Sequence, residues 1–343
     1  MKVYIYTELQ KKLEKSGVGR AYYHQRAALE KYGITVVDNI EEADVVHINT
    51  VLPNSHSLAK KLNRTDVPLV YHAHSTREDF RNSYIGSNLT AGLFKKWITS
   101  CYTKGDVIIT PSEYSKSLLE GYGIADKEIF VISNGIDLDD YRRNEAAGKE
   151  FRRKYGFTDE DKVIVSAGLI IKRKGVHDFV ELAWRCPEYK FVWFGEADLN
   201  LVGHEVRHAV KTAPDNLTFG GYVGKENIKA ALSGSDLFLF PSYEETEGII
   251  VLEALAMKIP VLLRDIPVYG DWIDIGKNAY AAKDNDGFEH LLREILGGNL
   301  PDLTEGGYEI ARRKSIENTG RQLAEAYNRA IELKGKIKEN ARN

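Results

Sequence analysis

Short apolar runs alternate with amphipathic stretches along the first part of the chain. Runs rich in β-branched and aromatic residues occupy positions 3–6, 34–37, 45–48, 69–72, 107–110 and 129–132. The stretches between them, such as 21–32 and 112–122, carry apolar residues at helical spacing. Alternating strands and helices of this kind predict a parallel sheet that is covered by helices on both faces.

The same alternation restarts after a charged segment without strand character at residues 139–153. The second series of apolar runs lies at 162–166, 190–194, 217–219, 237–240 and 260–263. A chain of 343 residues also exceeds the size at which a single core usually stops growing. We therefore predict an α/β protein with two doubly wound, Rossmann-like domains and a cleft between them. The predicted parts are residues 1–145, residues 146–318, and a C-terminal helix over 319–343 that crosses back to the first domain.

Two carboxylates, Glu245 and Glu253, lie on either side of Gly248 after one of these apolar runs. The predicted strand at 237–240 ends at Pro241, and the residues after Gly248 have helical periodicity. Glu245 is thereby placed in a loop at the carboxyl end of a strand, and Glu253 inside the next helix. Open α/β sheets bind anionic ligands at such corners. An isolated pair of this kind is more often a solvated loop acid followed by an ordinary helix glutamate, so the other motifs must decide.

A cationic loop follows the first strand of the second predicted domain. Lys172, Arg173 and Lys174 stand between Gly168 and Gly175, just before a predicted helix. A bound diphosphate needs cationic side chains together with oriented N–H groups, and this loop offers both. The alternative is a solvated basic turn.

Gly17 and Gly19 precede the first long predicted helix. Glycines here let the backbone approach a phosphate at a helix N-terminus. They also suggest a dinucleotide fingerprint, with Asp38 about twenty residues further on. Tyr22 occupies the third glycine position, however, and the first strand ends too early for that fingerprint. A flexible loop is the alternative.

Two histidines, His72 and His74, stand at the end of the apolar run at 69–72. Either imidazole could bind a sugar hydroxyl or hold an acceptor near a reacting carbon. Two histidines at this spacing also suit a metal ion, but no third ligand accompanies them in the sequence. We therefore predict no metal site.

A basic, aromatic helix is predicted at residues 90–104. Positions 81–104 contain four basic residues and no acidic one, and positions 11–26 are also rich in lysine and arginine. Such a helix suits an anionic membrane surface, although a core-facing helix with a wet basic side is the commoner case. Its predicted apolar stripe consists of Leu93, Trp97 and Cys101. The residues that we assign to membrane docking are Lys95, Lys96 and Trp97.

Composition narrows the class of protein. The chain is 43% apolar and 28% charged, which is typical of a globular protein, and its formal net charge of −3 argues against a general nucleic-acid binder. It has no apolar run near the ~20 residues needed to span a bilayer and no signal-peptide pattern. Cys101 and Cys186 are far apart and lack metal or redox spacing, so we expect a reducing cytoplasm.

Together, these motifs resemble the retaining, family 4-like glycosyltransferases with the GT-B fold, which include sucrose and trehalose synthases and bacterial lipid glycosyltransferases. The matching segments span nearly the whole chain, and the Glu245–Glu253 element is the most specific. Residues 13–21, 46–50, 74–83 and 85–88 look like the Gram-positive diglucosyl- and galactosylglucosyl-diacylglycerol synthases. Residues 244–254 and 264–269 are similar to glycolipid synthases generally.

The resemblance implies an activity and a location. The expected reaction moves a hexose, with retention, from UDP-glucose or UDP-galactose onto monoglucosyl-diacylglycerol at the cytoplasmic face of the membrane. The product would be a dihexosyl glycolipid, of the kind that anchors lipoteichoic acid. The protein would be peripheral, would use no cofactor or metal, and would have anionic lipid as a candidate activator.

The resemblance also implies residue roles. Glu253 would hold the ribose, while Arg173 and Lys174 would neutralise the diphosphate, with help from N–H groups at Gly17 and Gly19. The donor sugar would be oriented by Glu245 and by backbone N–H groups at Gly248, Ile249 and Ile250. His74 would act near the reacting carbon. Leu169 stands where the family usually has arginine, and Arg173 is the expected substitute.

Three other functions compete with this one. A soluble GT-B hexosyltransferase that acts on a sugar, polysaccharide or wall precursor shares every donor motif. A nicotinamide-dependent dehydrogenase would explain Gly17, Gly19 and Asp38 but not the two glutamates. A non-catalytic nucleotide-sugar-binding or scaffold protein would have no reason to keep the glutamates and the cationic loop.

Overall fold

The computed structural model describes residues 1–13 and 16–342, and the side-chain environment of these residues up to 336. The described chain divides into two compact units. The first consists of Met1–Phe80, Leu89–Asp137 and the chain from Lys314 onward, and the second of Arg81–Asn88 and Leu138–Arg313. Glu14 and Lys15, which belong to the basic N-terminal segment, lie outside the described residues.

Each unit is built on a parallel sheet. The strands of the first unit are β1 (Lys2–Tyr6), β2 (Thr35–Val36), β3 (Val45–Ile48), β4 (Leu69–His72), β5 (Val107–Thr110) and β6 (Ile129–Val131). Those of the second are β7 (Val163–Ala167), β8 (Lys190–Phe194), β9 (Leu217–Gly221), β10 (Leu237–Phe240), β11 (Val261–Arg264) and β12 (Tyr280–Ala282). The described residues form two six-stranded sheets, in the orders β2-β1-β3-β4-β5-β6 and β12-β11-β10-β7-β8-β9. The predicted α/β class with two Rossmann-like sheets is confirmed.

Helices follow most strands, as the alternating pattern predicts. In the first part of the chain they are α1 (Gln10–Leu13), α2 (Gly17–Lys31), α3 (Pro53–Leu62), α4 (Arg77–Phe80), α5 (Ser87–Tyr102) and α6 (Glu113–Leu119). The second unit contributes α7 (Glu145–Tyr155), α8 (Val176–Arg185), α9 (His204–Lys211), α10 (Lys225–Gly234), α11 (Ile249–Ala256), α12 (Asn285–Leu296) and α13 (Thr304–Arg313). The chain ends in the long helix α14 (Ile316–Arg342).

One short segment, Arg81–Asn88, packs with the second unit rather than with the part of the sequence that surrounds it. The N–H of Arg173 donates to the carbonyl of Asn82 at 3.0 Å, and the N–H of Ile85 donates to the carbonyl of Leu201 at 2.9 Å. This arrangement differs from the predicted first domain, which ran without interruption over residues 1–145. Backbone hydrogen bonds between segments so distant in sequence leave no local pattern that could reveal them.

Helix α14 packs against α2 inside the first unit. Its residues Leu323, Tyr327 and Ala330 are fully buried in the core that also contains Leu29 of α2. The two helices approach closely at Gly320, where a Cβ atom would lie 2.3 Å from the carbonyl oxygen of Ala28. A larger residue at position 320 would therefore force the helices apart.

A buried cluster of three histidines crosses the first sheet. The Tyr327 hydroxyl lies 2.7 Å from Nδ1 of His47, and Nε2 of His47 lies 3.2 Å from Nδ1 of His72. The amide of Gln25 also donates to Nδ1 of His72, at 3.0 Å. The ring of His72 stacks on that of His74, with centroids 3.8 Å apart. Because Nδ1 of His72 accepts from the amide of Gln25, His72 is a neutral imidazole with its proton on Nε2, which has no hydrogen-bond partner among the described residues.

Burial keeps these histidines uncharged. It lowers the pKa of His47 to about 3, with a further contribution from His74, and it lowers the pKa of His74 to about 3. Burial, followed by the neighbouring imidazoles, lowers the pKa of His72 well below its ordinary value of 6.5. In the unfolded chain the same side chains bind protons below about pH 6.5. Lowering the pH through the window from about 6.5 to about 3 therefore favours the unfolded state.

We predict that the free energy of unfolding falls by about 4 kcal/mol between pH 7.5 and pH 5.5, since each of three buried neutral histidines contributes about 1.4 kcal/mol one unit below its unfolded pKa. Denaturant unfolding followed by tryptophan fluorescence across this range measures the change. Substitution of the exposed His290 by glutamine is the matched control and should leave the slope as it is. A free energy that stays level over this range would contradict a neutral cluster.

Candidate active site

The corner after β10 forms one wall of the candidate site. Strand β10 is fully buried and ends at Phe240, and Pro241 follows it at the carboxyl edge of the sheet. The buried hydroxyl of Ser242 donates to Oε1 of Glu245 at 2.6 Å, and the N–H of Tyr243 donates to the carbonyl of Arg173 at 2.8 Å. The corner is therefore fixed both to Glu245 and to the cationic loop after β7.

Glu245 is the centre of a buried ion cluster. Its side chain is 8% exposed, forms an ion pair with the ammonium of Lys174, and lies 3.7 Å from the guanidinium of Arg173. Burial alone would raise the pKa of this carboxyl, but the charges of Lys174 and Arg173, with hydrogen bonds from Lys174 and Ser242, hold the pKa below its ordinary value. Glu245 is consequently an anion at neutral pH.

The cationic loop approaches the corner because it contains a glycine. Residues Lys172–Lys174 form a single 3₁₀ turn, and Gly175 follows with a φ of 73°. A Cβ atom at Gly175 would lie 2.2 Å from the carbonyl oxygen of Pro241. Only glycine allows both this backbone conformation and this approach.

The three cations of the loop have different surroundings. Lys174 lies above the Phe240 ring, 5.2 Å from its centroid, and pairs with Glu245. Arg173 donates to the carbonyl of Glu244 at 2.7 Å. Lys172 instead pairs with the half-exposed Glu205 and takes no part in the buried cluster. Of the three cations, the structure brings Arg173 and Lys174 to Glu245.

Helix α11 begins beside this cluster. Gly248 precedes it with a φ of 89°, and in the described part of the chain no side chain caps this N-terminus. The N–H groups of Ile249 and Ile250 belong to its first turn, where an anion or a hydroxyl oxygen is favourably bound. One turn further on, Glu253 is fully buried, and its Oε1 accepts a hydrogen bond of 3.0 Å from the hydroxyl of Tyr141.

Arg264, the last residue of β11, is hydrogen-bonded to the corner after β10. Its guanidinium donates to the carbonyl of Pro241 and to Asp178, both at 2.9 Å, and it stacks on the ring of Tyr243 at 3.9 Å. Residues 264–269 resemble glycolipid synthases, but no role was predicted for Arg264 or for Tyr269 within that segment. A buried arginine at the end of an apolar strand was the available signal, since such a side chain must find partners. Tyr141 was likewise given no role.

The remaining predicted residues, Gly17, Gly19 and His74, lie in the first unit. The glycines do not precede a helix as expected but form the first turn of α2. Ser16 caps this helix, and the N–H of Gly19 donates to its hydroxyl at 3.3 Å. The N–H of Gly19 is therefore already engaged within the helix cap. Nothing lies within 4 Å of a Cβ atom built at Gly17, so local crowding does not require glycine there.

His74 is held in one tautomer. Its Nε2 lies 3.0 Å from Oδ1 of Asn49, and the amide of Asn49 donates to Oε1 of Gln25 at 2.7 Å. This reciprocal arrangement assigns the carbonyl oxygen of Asn49 to His74, so Nε2 of His74 carries the proton. Nδ1 is then an acceptor that can receive a hydrogen bond from a substrate hydroxyl.

The predicted apolar stripe of helix α5 becomes more buried along its length. Leu93 is 69% exposed, Trp97 is 37% exposed and Cys101 is fully buried. The indole N–H of Trp97 donates to the carbonyl of Val51 at 2.5 Å, and Lys95 lies over the Tyr122 ring at 4.6 Å. Trp97 and Lys95 are thus partly committed to the fold. The other exposed positions of the outer face include Leu89 and Lys96.

The described residues bear on two other types of feature, a metal site and a membrane span. They contain no group of three or more histidine, cysteine, aspartate or glutamate side chains that could hold a metal ion. Within the same residues, every helix is too short or too polar to cross a membrane.

Family models match both halves of the chain. Residues 148–341 match the family described as "Glycosyl transferases group 1", and residues 17–140 match "Glycosyltransferase Family 4". A likeness to solved structures supports the fold. The Anabaena protein HepE in complex with UDP and glucose has a TM-score of 0.80 at 16% identity, covering 96% of this chain and 99% of that one. Sucrose-phosphate synthase from Thermosynechococcus elongatus has a TM-score of 0.71 at 17% identity, covering 94% of this chain and 80% of the other.

Two relatives are similar over most of their length. The processive diacylglycerol α-glucosyltransferase of Acholeplasma laidlawii is 41% identical, with 97% of this chain and all of the relative covered. The α-galactosylglucosyldiacylglycerol synthase of Streptococcus pneumoniae is 27% identical, with 90% of this chain and 84% of the relative covered. The predicted resemblance to GT-B enzymes of glycolipid synthesis is confirmed, and the chain belongs to the group 1 glycosyltransferases.

Proposed function

We propose that this protein transfers a hexose, with retention of configuration, from a UDP-hexose to monoglucosyl-diacylglycerol at the cytoplasmic face of a membrane. The buried cluster of Glu245, Lys174 and Arg173 beside the N-terminus of α11 is the observation that carries the transferase chemistry. The lipid acceptor is supported by the 41% identity to a diacylglycerol α-glucosyltransferase along nearly the whole chain. That relative also favours glucose over galactose as the transferred hexose.

The donor would occupy the carboxyl edge of the second sheet. Glu253, buried and held by Tyr141, would accept hydrogen bonds from the ribose hydroxyls. Lys174 and Arg173 would neutralise the charge that develops on the departing diphosphate. Since Lys174 already pairs with Glu245, the diphosphate would share this ammonium with the carboxylate rather than recruit it from solvent.

Glu245 would position the sugar and stabilise positive charge. Its lowered pKa makes it unsuited to donate a proton, and its Oε1 is engaged by Lys174 and Ser242. As an anion beside the anomeric carbon, it would stabilise the positive charge that builds as the glycosidic bond to the diphosphate breaks. The N–H groups at the start of α11 would fix the orientation of the sugar hydroxyls.

The bond changes balance without a further reagent. The anomeric carbon loses its bond to the diphosphate oxygen and gains a bond to the acceptor hydroxyl oxygen on the same face. The acceptor's proton passes to the departing phosphate oxygen, so UDP leaves as the product. Neutral His74, with Nδ1 as an acceptor, would bind a substrate hydroxyl without supplying a proton. Contacts of Gly17 with the donor stay a prediction, and Gly19 could contribute only if its N–H were shared with Ser16.

We predict that the protein, supplied with monoglucosyl-diacylglycerol in micelles containing anionic lipid, makes a dihexosyl-diacylglycerol from UDP-glucose. UDP-galactose is tested separately, and diacylglycerol is supplied as a second acceptor, because the relative's name includes processive transfer. Chromatography and mass spectrometry identify the product, and proton NMR gives its anomeric configuration, which we expect to be α. If neither donor gave a lipid product, the proposed lipid acceptor would be wrong. A β-linked product would contradict a retaining mechanism.

Membrane docking is proposed for the outer face of α5. Leu89 and Leu93 are 91% and 69% exposed and lie one turn apart, followed one turn later by the partly exposed Trp97. Lys96 is exposed beside them. The indole N–H of Trp97 is hydrogen-bonded to the carbonyl of Val51, so the two leucines are better placed than Trp97 to enter the lipid. Lys96 would then face the anionic headgroups.

We predict that the double substitution Leu93→Ser with Lys96→Glu weakens binding to vesicles of phosphatidylglycerol and phosphatidylcholine by at least tenfold. One basic residue near such a surface contributes about 1 kcal/mol, and reversal of its charge removes more than that. Vesicle sedimentation measures the partition. Lys61→Glu, an equal charge reversal at an exposed position of α3, is the matched control. Equal losses for both variants would indicate a general charge effect and contradict docking through α5.

A further inference from the structure

Tyr269 carries an unsatisfied hydroxyl in the interior of the second unit. The residue is 2% exposed and ends the single 3₁₀ turn Pro267–Tyr269, which follows β11. Its hydroxyl has no hydrogen-bond partner among the residues that the structure describes. Burying a hydroxyl without a partner is unfavourable, and most such groups in proteins are paired. A ligand that hydrogen-bonds to this hydroxyl would remove the cost of burying it unpaired.

The hydroxyl lies against the start of α11. A Cβ atom built at Gly248 would come within 3.3 Å of the Tyr269 oxygen, which places that oxygen beside the uncapped N-terminal turn. Burial raises the pKa of Tyr269 well above its ordinary value, and the negative charge of Glu245 raises this pKa further. Tyr269 is consequently protonated, and its O–H is available as a donor.

The neighbouring groups select the chemistry of that ligand. A hexose hydroxyl can accept a hydrogen bond from Tyr269 and donate one to the carboxylate of Glu245 at the same time. A phosphate oxygen can only accept, and it would be repelled by Glu245. The cations that suit a phosphate, Lys174 and Arg173, are already assigned to the diphosphate in the proposed function.

We propose that the hydroxyl of Tyr269 binds a hydroxyl group of the transferred hexose and thereby contributes to the choice between UDP-hexose donors. This inference rests on the proposed function of the second unit. Sites that hydrogen-bond a substrate hydroxyl discriminate strongly against analogues that do not satisfy them. A tyrosine hydroxyl held on a buried turn is a fixed donor, so the orientation of the sugar hydroxyl that it contacts would matter.

A conservative variant isolates the hydroxyl from the ring. The Tyr269 ring packs edge-on against Trp272 at a centroid distance of 5.7 Å, and the N–H of Ile273 donates to the Tyr269 carbonyl at 2.8 Å. Both contacts persist in Tyr269→Phe. Because the lost hydroxyl has no partner in the unliganded protein, the variant should melt at the wild-type temperature or above it.

We predict that Tyr269→Phe weakens binding of UDP-glucose by about tenfold and leaves the affinity for UDP within twofold of the wild type. Isothermal titration with UDP, UDP-glucose and UDP-galactose measures these affinities, and thermal melting of the unliganded proteins is measured beside them. The ratio of the affinities for UDP-glucose and UDP-galactose should also lie closer to one in the variant than in the wild type. Tyr280→Phe, which removes the hydroxyl bonded to the carbonyl of Pro301 elsewhere in the same unit, is the matched control and should bind all three ligands as the wild type does.

Four results would overturn the inference. Unchanged affinity of Tyr269→Phe for UDP-glucose would mean that the hydroxyl does not touch the sugar. Equal weakening of UDP and UDP-glucose, or a lowered melting temperature, would indicate a structural or nucleotide contact. Failure of the wild-type protein to bind either UDP-hexose would instead remove the proposed function, and the sugar contact with it.

Discussion

The buried contact between the cationic loop and the corner after β10 fixes the geometry of the candidate active site in the second unit. Strands β7 and β10 are direct neighbours in the second sheet, so the loops that follow them emerge side by side. Gly175 lets one loop pass against the carbonyl of Pro241 in the other, and Lys174 then pairs with Glu245 across the gap. An ion pair buried to this degree costs desolvation energy and needs further hydrogen bonds, one of which Ser242 donates to Glu245. Arg173 adds a second positive charge 3.7 Å from the carboxylate.

This contact also gives the two glutamates of the motif different surroundings. Glu245 is kept ionised by two cations beside the start of α11, whereas Glu253 lies a turn inside the helix and is held by Tyr141. In the proposed function, the first carboxylate binds the sugar and the second binds the nucleotide. Arg264, bonded to Asp178 and to Pro241, holds the same corner from the side of β11.

The sequence predicted those parts of the molecule whose signal is local. Buried parallel strands appear as short apolar runs, and each of the runs quoted overlaps a strand in the structure. The strand that no run predicted is β12, whose short Tyr-Ala-Ala sequence has neither β-branched residues nor a run of large apolar ones. The glutamate pair and the cationic loop could be found because each combines a strand end, a glycine and charged residues within a few positions.

The parts that escaped prediction depend on contacts between distant segments. Arg81–Asn88 joins the second unit through backbone bonds to Arg173 and Leu201. Tryptophan is a typical membrane-anchoring residue, but the indole N–H of Trp97 donates to the carbonyl of Val51, nearly fifty positions away. The N–H of Gly19 is used by the Ser16 cap, and a serine at that position was the one local signal that could have revealed it.

In the proposed mechanism, an ionised Glu245 acts on the sugar rather than on the nucleotide. Comparison of the wild type with Glu245→Gln, for kcat with UDP-glucose and for the affinity for UDP, tests this role. The amide keeps the size of the side chain and loses its charge, so we expect kcat to fall by about a hundredfold or more. UDP should bind as well as before or more tightly, because Lys174 and Arg173 no longer share their charge with a carboxylate. A kcat retained at the wild-type level would mean that the charge of Glu245 has no part in catalysis.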